Sequence, residues 1–237
     1  MPKWLILVDL DDTLMPTNYR YHEASWRCGL IIQKALAGRS KRPMEVLELQ
    51  REIDRGLFKE MGFLVSRFPR SWVLTYEQMC ASAGVPVSAK VRQRIQNTAA
   101  YFKYGPFRPF VGIKTALRRL RRQKHRLHLI TAGEVVLQRR KIEQAGLVKY
   151  FDDGNFTVCP MHKKDDMQRL AAEFNGPVMM VGDSKRNDIR PAKELGLTTI
   201  WIPSETKHDS DGKVEPDYEI RSFTLLPDLM SKIKPPK

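Results

Sequence analysis

Short apolar runs of strand length recur at residues 4–8, 127–131, 156–159, 178–181 and 198–202, each stopped by polar or small residues. Between the later runs lie stretches whose apolar positions return every three or four residues, at 111–125, 134–145, 165–175 and 188–195. That is the period of a helix with one buried face. Strand-length runs alternating with helical ones build right-handed βαβ units, so the pattern predicts a parallel sheet covered on both faces.

The rhythm stops between the first and second runs. Residues 15–108 read as helices with breaks at Gly38, Gly56, Pro69, Gly84 and Pro86 and almost no β-rich run. The expected architecture is α/β: a Rossmann-like doubly wound parallel sheet from residues 1–14 and 109–237, with an α-helical domain, 15–108, inserted after strand 1. A polar stretch at 203–217 reads as a surface loop, followed by a short strand near 218–220 and a last helix near 223–233.

Composition changes this picture little. The 237 residues are 42% hydrophobic, enough for a real core. Cys28, Cys80 and Cys159 form no CxxC pair, and their odd number suggests no disulfide framework, so a reduced, cytoplasmic setting is expected. No apolar run is long enough for a signal-peptide core or a membrane span.

Charge is more distinctive. The net charge is +14, with 16 Lys and Arg against 7 Asp and Glu over residues 15–108. Such a balance suits anionic partners, either a nucleic acid or small anions. The densest basic run, residues 114–126, also carries Leu117 and Leu120 at helical spacing from Ile113. It reads as an amphipathic helix with a solvated basic face, in preference to a nucleic-acid surface.

Against that basic background, three carboxylates, Asp9, Asp11 and Asp12, follow the first apolar run. In an open parallel sheet functional groups gather at the carboxyl ends of the strands, and every strong strand here ends in a polar residue. Alternation puts Asp9 and Asp11 on one side, where two like charges repel unless a cation such as Mg²⁺ joins them. Asp12 points elsewhere and reads as a turn residue. The second run ends in Thr131, a hydroxyl donor, followed by Ala132 and Gly133, small residues that leave backbone N–H groups open. After the third comes the pair Lys163 and Lys164, either of which could reach a phosphate. Lys164 is preferred because it directly precedes Asp165, a candidate N-cap. The fourth ends in Asp183 and Ser184, with Asp188 close behind. Carboxylates, hydroxyl, lysine and carboxylates in that order form a phosphoryl-transfer site.

These residues resemble the four motifs of the haloacid dehalogenase superfamily: DxDxT at Asp9–Thr13, a strand ending in Thr131, a lysine at Lys164, and GDSxxxD at Gly182–Asp188. The resemblance covers residues 4–14 and 109–233. It implies Asp9 as the nucleophile that forms an aspartyl-phosphate and Asp11 as general acid and base. Thr131, Ala132 and Lys164 would bind the phosphoryl group. Asp9, Asp183 and the backbone carbonyl of Asp11 would hold Mg²⁺, with Ser184 and Asp188 in support. An acid at Asp11 favours phosphoryl over carbon–halogen chemistry. In the family an insertion at this position is a cap that covers the site and admits small phosphorylated molecules.

The sequence therefore points to a Mg²⁺-dependent phosphatase of small phosphorylated metabolites. Two alternatives stand beside it: a phosphatase of nucleotides or nucleic-acid ends, and a basic non-catalytic binding protein on the same fold. Arg20, His22 and Arg27 are candidates for anion contact within the insertion. Trp26, Trp72, Tyr76 and Phe63 fall at core-like spacings there.

Overall fold

The computed structural model describes residues 4–36, 39, 43–151, 156–204 and 214–233. Among them are six strands, β1 (Leu5–Val8), β2 (Arg126–Ala132), β3 (Phe156–Cys159), β4 (Val178–Gly182), β5 (Thr198–Trp201) and β6 (Tyr218–Glu219). All pair in parallel, in the order β3-β2-β1-β4-β5-β6. β1 and β4 at the centre are buried along their whole length, which is why they read as unbroken apolar runs. β6, at the edge, is two residues long and exposed, too short to recruit a foreign strand.

The register sets the geometry of the site. Val8 lies opposite Leu129 on one side and Val181 on the other, so the residues that follow all three strands emerge at the same sheet edge. The chain leaves β1 toward β2 and β3 on one side, with β4, β5 and β6 on the other. A crevice opens where the winding reverses, outside the carboxyl ends of β1 and β4.

The chain divides into two compact units, one of residues 1–16 with 106–237 and the other Thr17–Gly105. The inserted unit is helical: α1 (Asn18–Ala35), α2 (Pro43–Met61), α3 (Arg67–Ala83) and α4 (Ala89–Ala99), then a 3₁₀ turn at Ala100–Lys103. Cys28, Ile32, Trp72, Tyr76 and Ile95 form its buried interior, and the rings of Tyr21, Phe68 and Phe102 pack together. Trp26, expected in this core, is instead 52% exposed, and Phe63 is half-buried against Phe58. Of the expected breaks, Gly84 ends α3 in the left-handed conformation (φ 63°). Gly56 lies inside α2 without interrupting it. Pro69 sits in the first turn of α3, where N–H groups lack helical partners anyway. Gly38 lies outside the described residues. Arg20 donates from Nη1 to the Tyr104 carbonyl at 2.6 Å, joining the two ends of this unit.

In the sheet unit, α5 (Ile113–Arg122) buries Ile113, Ala116, Leu117 and Leu120 and exposes its arginines. Arg119 pairs with Asp228, and Arg121 donates to the Lys149 carbonyl. The remaining helices are α6 (Val135–Gln144), α7 (Lys164–Ala172), α8 (Arg190–Glu194) and α9 (Leu226–Met230). The last two are shorter than their apolar patterns predict. A π-type turn, Lys185–Ile189, precedes α8, and a 3₁₀ turn, Phe223–Leu225, precedes α9. Within this unit Phe110 N–H donates to the Leu14 carbonyl at 2.9 Å. Most of the polar stretch at 203–217 lies outside the described residues. Among the described residues no helix is long and apolar enough to cross a membrane.

Candidate active site

Asp9 follows β1 directly, and its N–H donates to the Val181 carbonyl of β4 at 3.0 Å, so the central strand pair fixes its backbone. Its side chain is buried, 5% exposed. One carboxylate oxygen, Oδ2, accepts from Thr13 Oγ1 at 3.1 Å, and the other, Oδ1, accepts from Lys163 Nζ. The motif threonine thus braces the carboxylate from the same turn. Asp12 holds a positive φ of 57°, and its N–H donates to the Met15 carbonyl at 2.7 Å. It makes the turn that carries Thr13 back to Asp9, and Asp is among the few residues that accept this conformation.

From the far side of the crevice come Asp183 and Asp188. Oxygens of Asp9, Asp183 and Asp188 all lie within 4.8 Å of one another. Asp188 is 1% exposed; it accepts from Lys163 Nζ at 2.6 Å and from the Ser184 N–H at 3.0 Å. Ser184 caps the π-type turn, its Oγ accepting from the Asn187 N–H at 3.1 Å, which aims Asp188 inward. Gly182 is glycine because Asp188 lies against it: a Cβ there would stand 2.3 Å from Asp188 Oδ2. The Asp183 carbonyl accepts from Trp201 Nε1 at 2.7 Å.

Three crowded carboxylates with one lysine carry excess negative charge. Burial raises the Asp9 pKa to about 7, with Asp188 and Asp11 adding to the rise and Lys163 opposing it. Burial likewise raises Asp183 to about 9, helped by Asp9, Asp188 and Asp12. Burial works against the Lys163 ammonium, but Asp188 and Asp9 outweigh it and raise its pKa. Three carboxylates against one ammonium match the oxygen donors and charge that a small hard dication takes, and such an ion would favour the ionised form of each.

The lysine assignment changes. Lys164 Nζ pairs with Glu194 on the exposed surface, whereas Lys163 is 4% exposed and touches both Asp9 and Asp188. α7 begins two residues earlier than the Asp165 N-cap would require: Lys163 is the cap position and Asp165 lies in the first turn. One step along a helix turns a side chain by about 100°, so only the first lysine faces the carboxylates.

Thr131 is buried, and its Oγ1 accepts from Gln138 Nε2 at 2.8 Å, leaving the hydroxyl hydrogen able to donate. Ala132 closes β2, and its carbonyl accepts from the same amide at 3.0 Å. Gly133, expected to leave its N–H open, donates it to the Cys159 carbonyl at 3.0 Å. Asp11 lies across from α6: both its oxygens accept from Lys141 Nζ, each at 2.9 Å, and Oδ2 also accepts from Gln138 Nε2 at 2.9 Å. Sequence reasoning missed Gln138 and Lys141. The available signal was their place on the stripe that also holds Leu137, Ile142 and Ala145, the buried face of α6.

Among the insertion's candidates, Arg20 is buried on the Tyr104 carbonyl, and Arg27 pairs with Glu23. His128, in β2, contacts Thr157 Oγ1 at 2.8 Å; burial, with Arg169 and Arg126, lowers its pKa to about 4.

A family model described as haloacid dehalogenase-like hydrolase matches residues 5–196. The chain is 30% identical over 212 residues to a glyceraldehyde 3-phosphate phosphatase of Pyrococcus abyssi, covering 84% of this chain and 80% of that protein. It is also 30% identical over 139 residues to the enzyme of the same name from Methanocaldococcus jannaschii, covering 56% of this chain and 60% of that relative's length. Among solved structures, a haloacid dehalogenase-like family hydrolase from Xanthomonas campestris superposes with a TM-score of 0.75 at 23% identity, covering 98% of this chain and 91% of that one. That likeness is one of fold.

Proposed function

The chain belongs to the haloacid dehalogenase-like hydrolases, and from that membership we propose that it is a Mg²⁺-dependent phosphatase of small phosphorylated metabolites, with residues 15–108 as its cap domain. The observation that carries this reading is the meeting of Asp9, Asp183, Asp188 and Lys163 at the sheet crevice, with Asp11 two residues from Asp9. The names of the two archaeal relatives support a small phosphorylated substrate. Three buried free thiols support a reducing, cytoplasmic setting.

Asp9 attacks phosphorus, and the ester oxygen leaves with a proton from Asp11. Water then attacks the aspartyl-phosphate and gives its proton to Asp11, releasing inorganic phosphate and restoring Asp9. Thr131 donates to the phosphoryl oxygens, Ala132 borders them, and Lys163 offsets charge beside Asp9 and Asp188. Asp9, Asp183 and the Asp11 carbonyl would hold Mg²⁺, with Ser184 and Asp188 supporting. When bound, the ion supplies Lewis-acid stabilisation of the transferring group.

The test is phosphate release with Mg²⁺ across sugar phosphates, phosphorylated acids, nucleotides and 5′-phosphorylated oligonucleotides. Release from the small esters, lost in Asp9→Asn and on chelation, is expected. Full turnover by Asp9→Asn would overturn the mechanism. Release confined to oligonucleotides and falling steeply with salt would move the substrate to nucleic-acid ends.

A further inference from the structure

Lys141 is 2% exposed on the inner face of α6, among Leu137 and Ile142. A leucine there would fill similar space without the cost of taking an ammonium out of water. Its Nζ bonds instead to both oxygens of Asp11. Gln138, three residues earlier on the same helix face, adds a bond to Asp11 Oδ2 and reaches Thr131 Oγ1 and the Ala132 carbonyl with the same nitrogen. A Cβ at Gly133 would come within 3.0 Å of Gln138 Cγ, so the glycine leaves room for this side chain. Asp11 itself sits on the turn after β1 with its side chain 26% exposed, a setting that would leave a lone carboxylate free to rotate.

We infer that Lys141, with Gln138, is a positioning residue that fixes the direction in which Asp11 presents its carboxyl group to the substrate's ester oxygen, relative to the phosphoryl contact at Thr131. Lys141 spans both oxygens, so one can turn to the substrate while the other keeps the tether. The inference rests on the reading of Asp11 as acid and base. Proton transfer works only within hydrogen-bond reach, and small misplacements cost large factors in rate.

The test compares kcat/KM, which reports formation of the aspartyl-phosphate, on p-nitrophenyl phosphate and on glycerol phosphate. The first has a leaving group that needs little protonation; the second needs it fully. Lys141→Met should lose about tenfold or more on glycerol phosphate beyond its loss on the p-nitrophenyl ester. Asp11→Asn should show the same asymmetry, Lys141→Arg should recover part of it, and Lys141→Met should add nothing in the Asp11→Asn background. Equal losses on both esters in Lys141→Met, with the asymmetry present in Asp11→Asn, overturn the positioning role alone. Equal losses in Asp11→Asn overturn the acid–base reading and the inference with it. If Lys141→Met does not fold, Gln138→Leu is held to the same asymmetry.

Discussion

Lys163 Nζ stands between the carboxylates of Asp9 and Asp188, whereas the neighbouring Lys164 turns outward to Glu194. The two adjacent lysines therefore differ in burial, partners and expected consequence. Lys163→Met leaves three crowded carboxylates without their ammonium. We expect kcat to fall by about a hundredfold or more and stability without divalent cation to fall by about 3 kcal/mol. Lys164→Met should leave the unfolding midpoint and turnover unchanged. Steady-state kinetics and thermal melts of both variants check this, and equal effects would contradict the placement.

The metal-free protein should lose stability as pH rises. In the folded state Asp9 titrates near 7 and Asp183 near 9, both above the unfolded value of about 3.9. Between these values the folded state binds more protons than the unfolded one, so unfolding free energy decreases with pH. His128 works the other way: its pKa near 4 costs stability as pH falls below about 6.5, the ordinary histidine value. Above that value the carboxylate effect leads, joined toward pH 9 by Cys28 and Cys159, whose thiols burial pushes up to about 12; the sum is a drop on the order of 5 °C in Tm between pH 6.5 and 9 without metal. Mg²⁺ should reverse it, with a stabilisation that grows with pH. Melts at fixed ionic strength, with and without Mg²⁺, decide this; a Tm rising with pH in metal-free buffer contradicts it.

Gly182→Ala should disable the site with limited damage to the sheet. The new Cβ would lie 2.3–2.7 Å from the Asp188 side chain, so Asp188 must move off Lys163 and the Ser184 N–H. Turnover is expected to drop by about tenfold or more, with unfolding still cooperative. Retention of full activity would show that Asp188 can shift without consequence.

Trp201→Phe keeps the ring beneath Lys185, whose Nζ lies 4.3 Å from its centroid. It removes the hydrogen bond to the Asp183 carbonyl. We expect a stability loss of about 1 kcal/mol and weaker Mg²⁺ binding, read as a higher Mg²⁺ concentration for half-maximal rate. An unchanged Mg²⁺ requirement would separate Trp201 from the carboxylate site.

The sheet and its carboxylates were legible because central parallel strands are nearly pure apolar runs, so the charged residue that ends each run stands out. Asp9 and Asp183 stand out in that way; Thr131 is the polar end of a run, and Asp188 is read from its spacing behind Asp183. The choice between Lys163 and Lys164 was not legible: it depends on where α7 starts, and a one-residue shift exchanges the inner lysine for the outer. Gln138 and Lys141 are polar residues on the apolar stripe of α6, and only the partner Asp11, distant in sequence, gives them a reason to be inside. Trp26 failed the opposite way, an aromatic at core-like spacing on the exposed side of α1.

The contact of Arg20 with Tyr104 bears on the order of folding. β1 must pair with β2 across the whole insertion, Leu5 against Arg126, and closing so long a loop slows nucleation. Helices with mostly local contacts form sooner. Once they have formed, with Arg20 clipping the two ends of the insertion together, the chain enters and leaves at one point and the effective loop shrinks to roughly a third of its length. The same arginine that a charge count offers as a ligand for substrate is thereby a kinetic device, one that lets a discontinuous sheet assemble almost as if the insertion were absent.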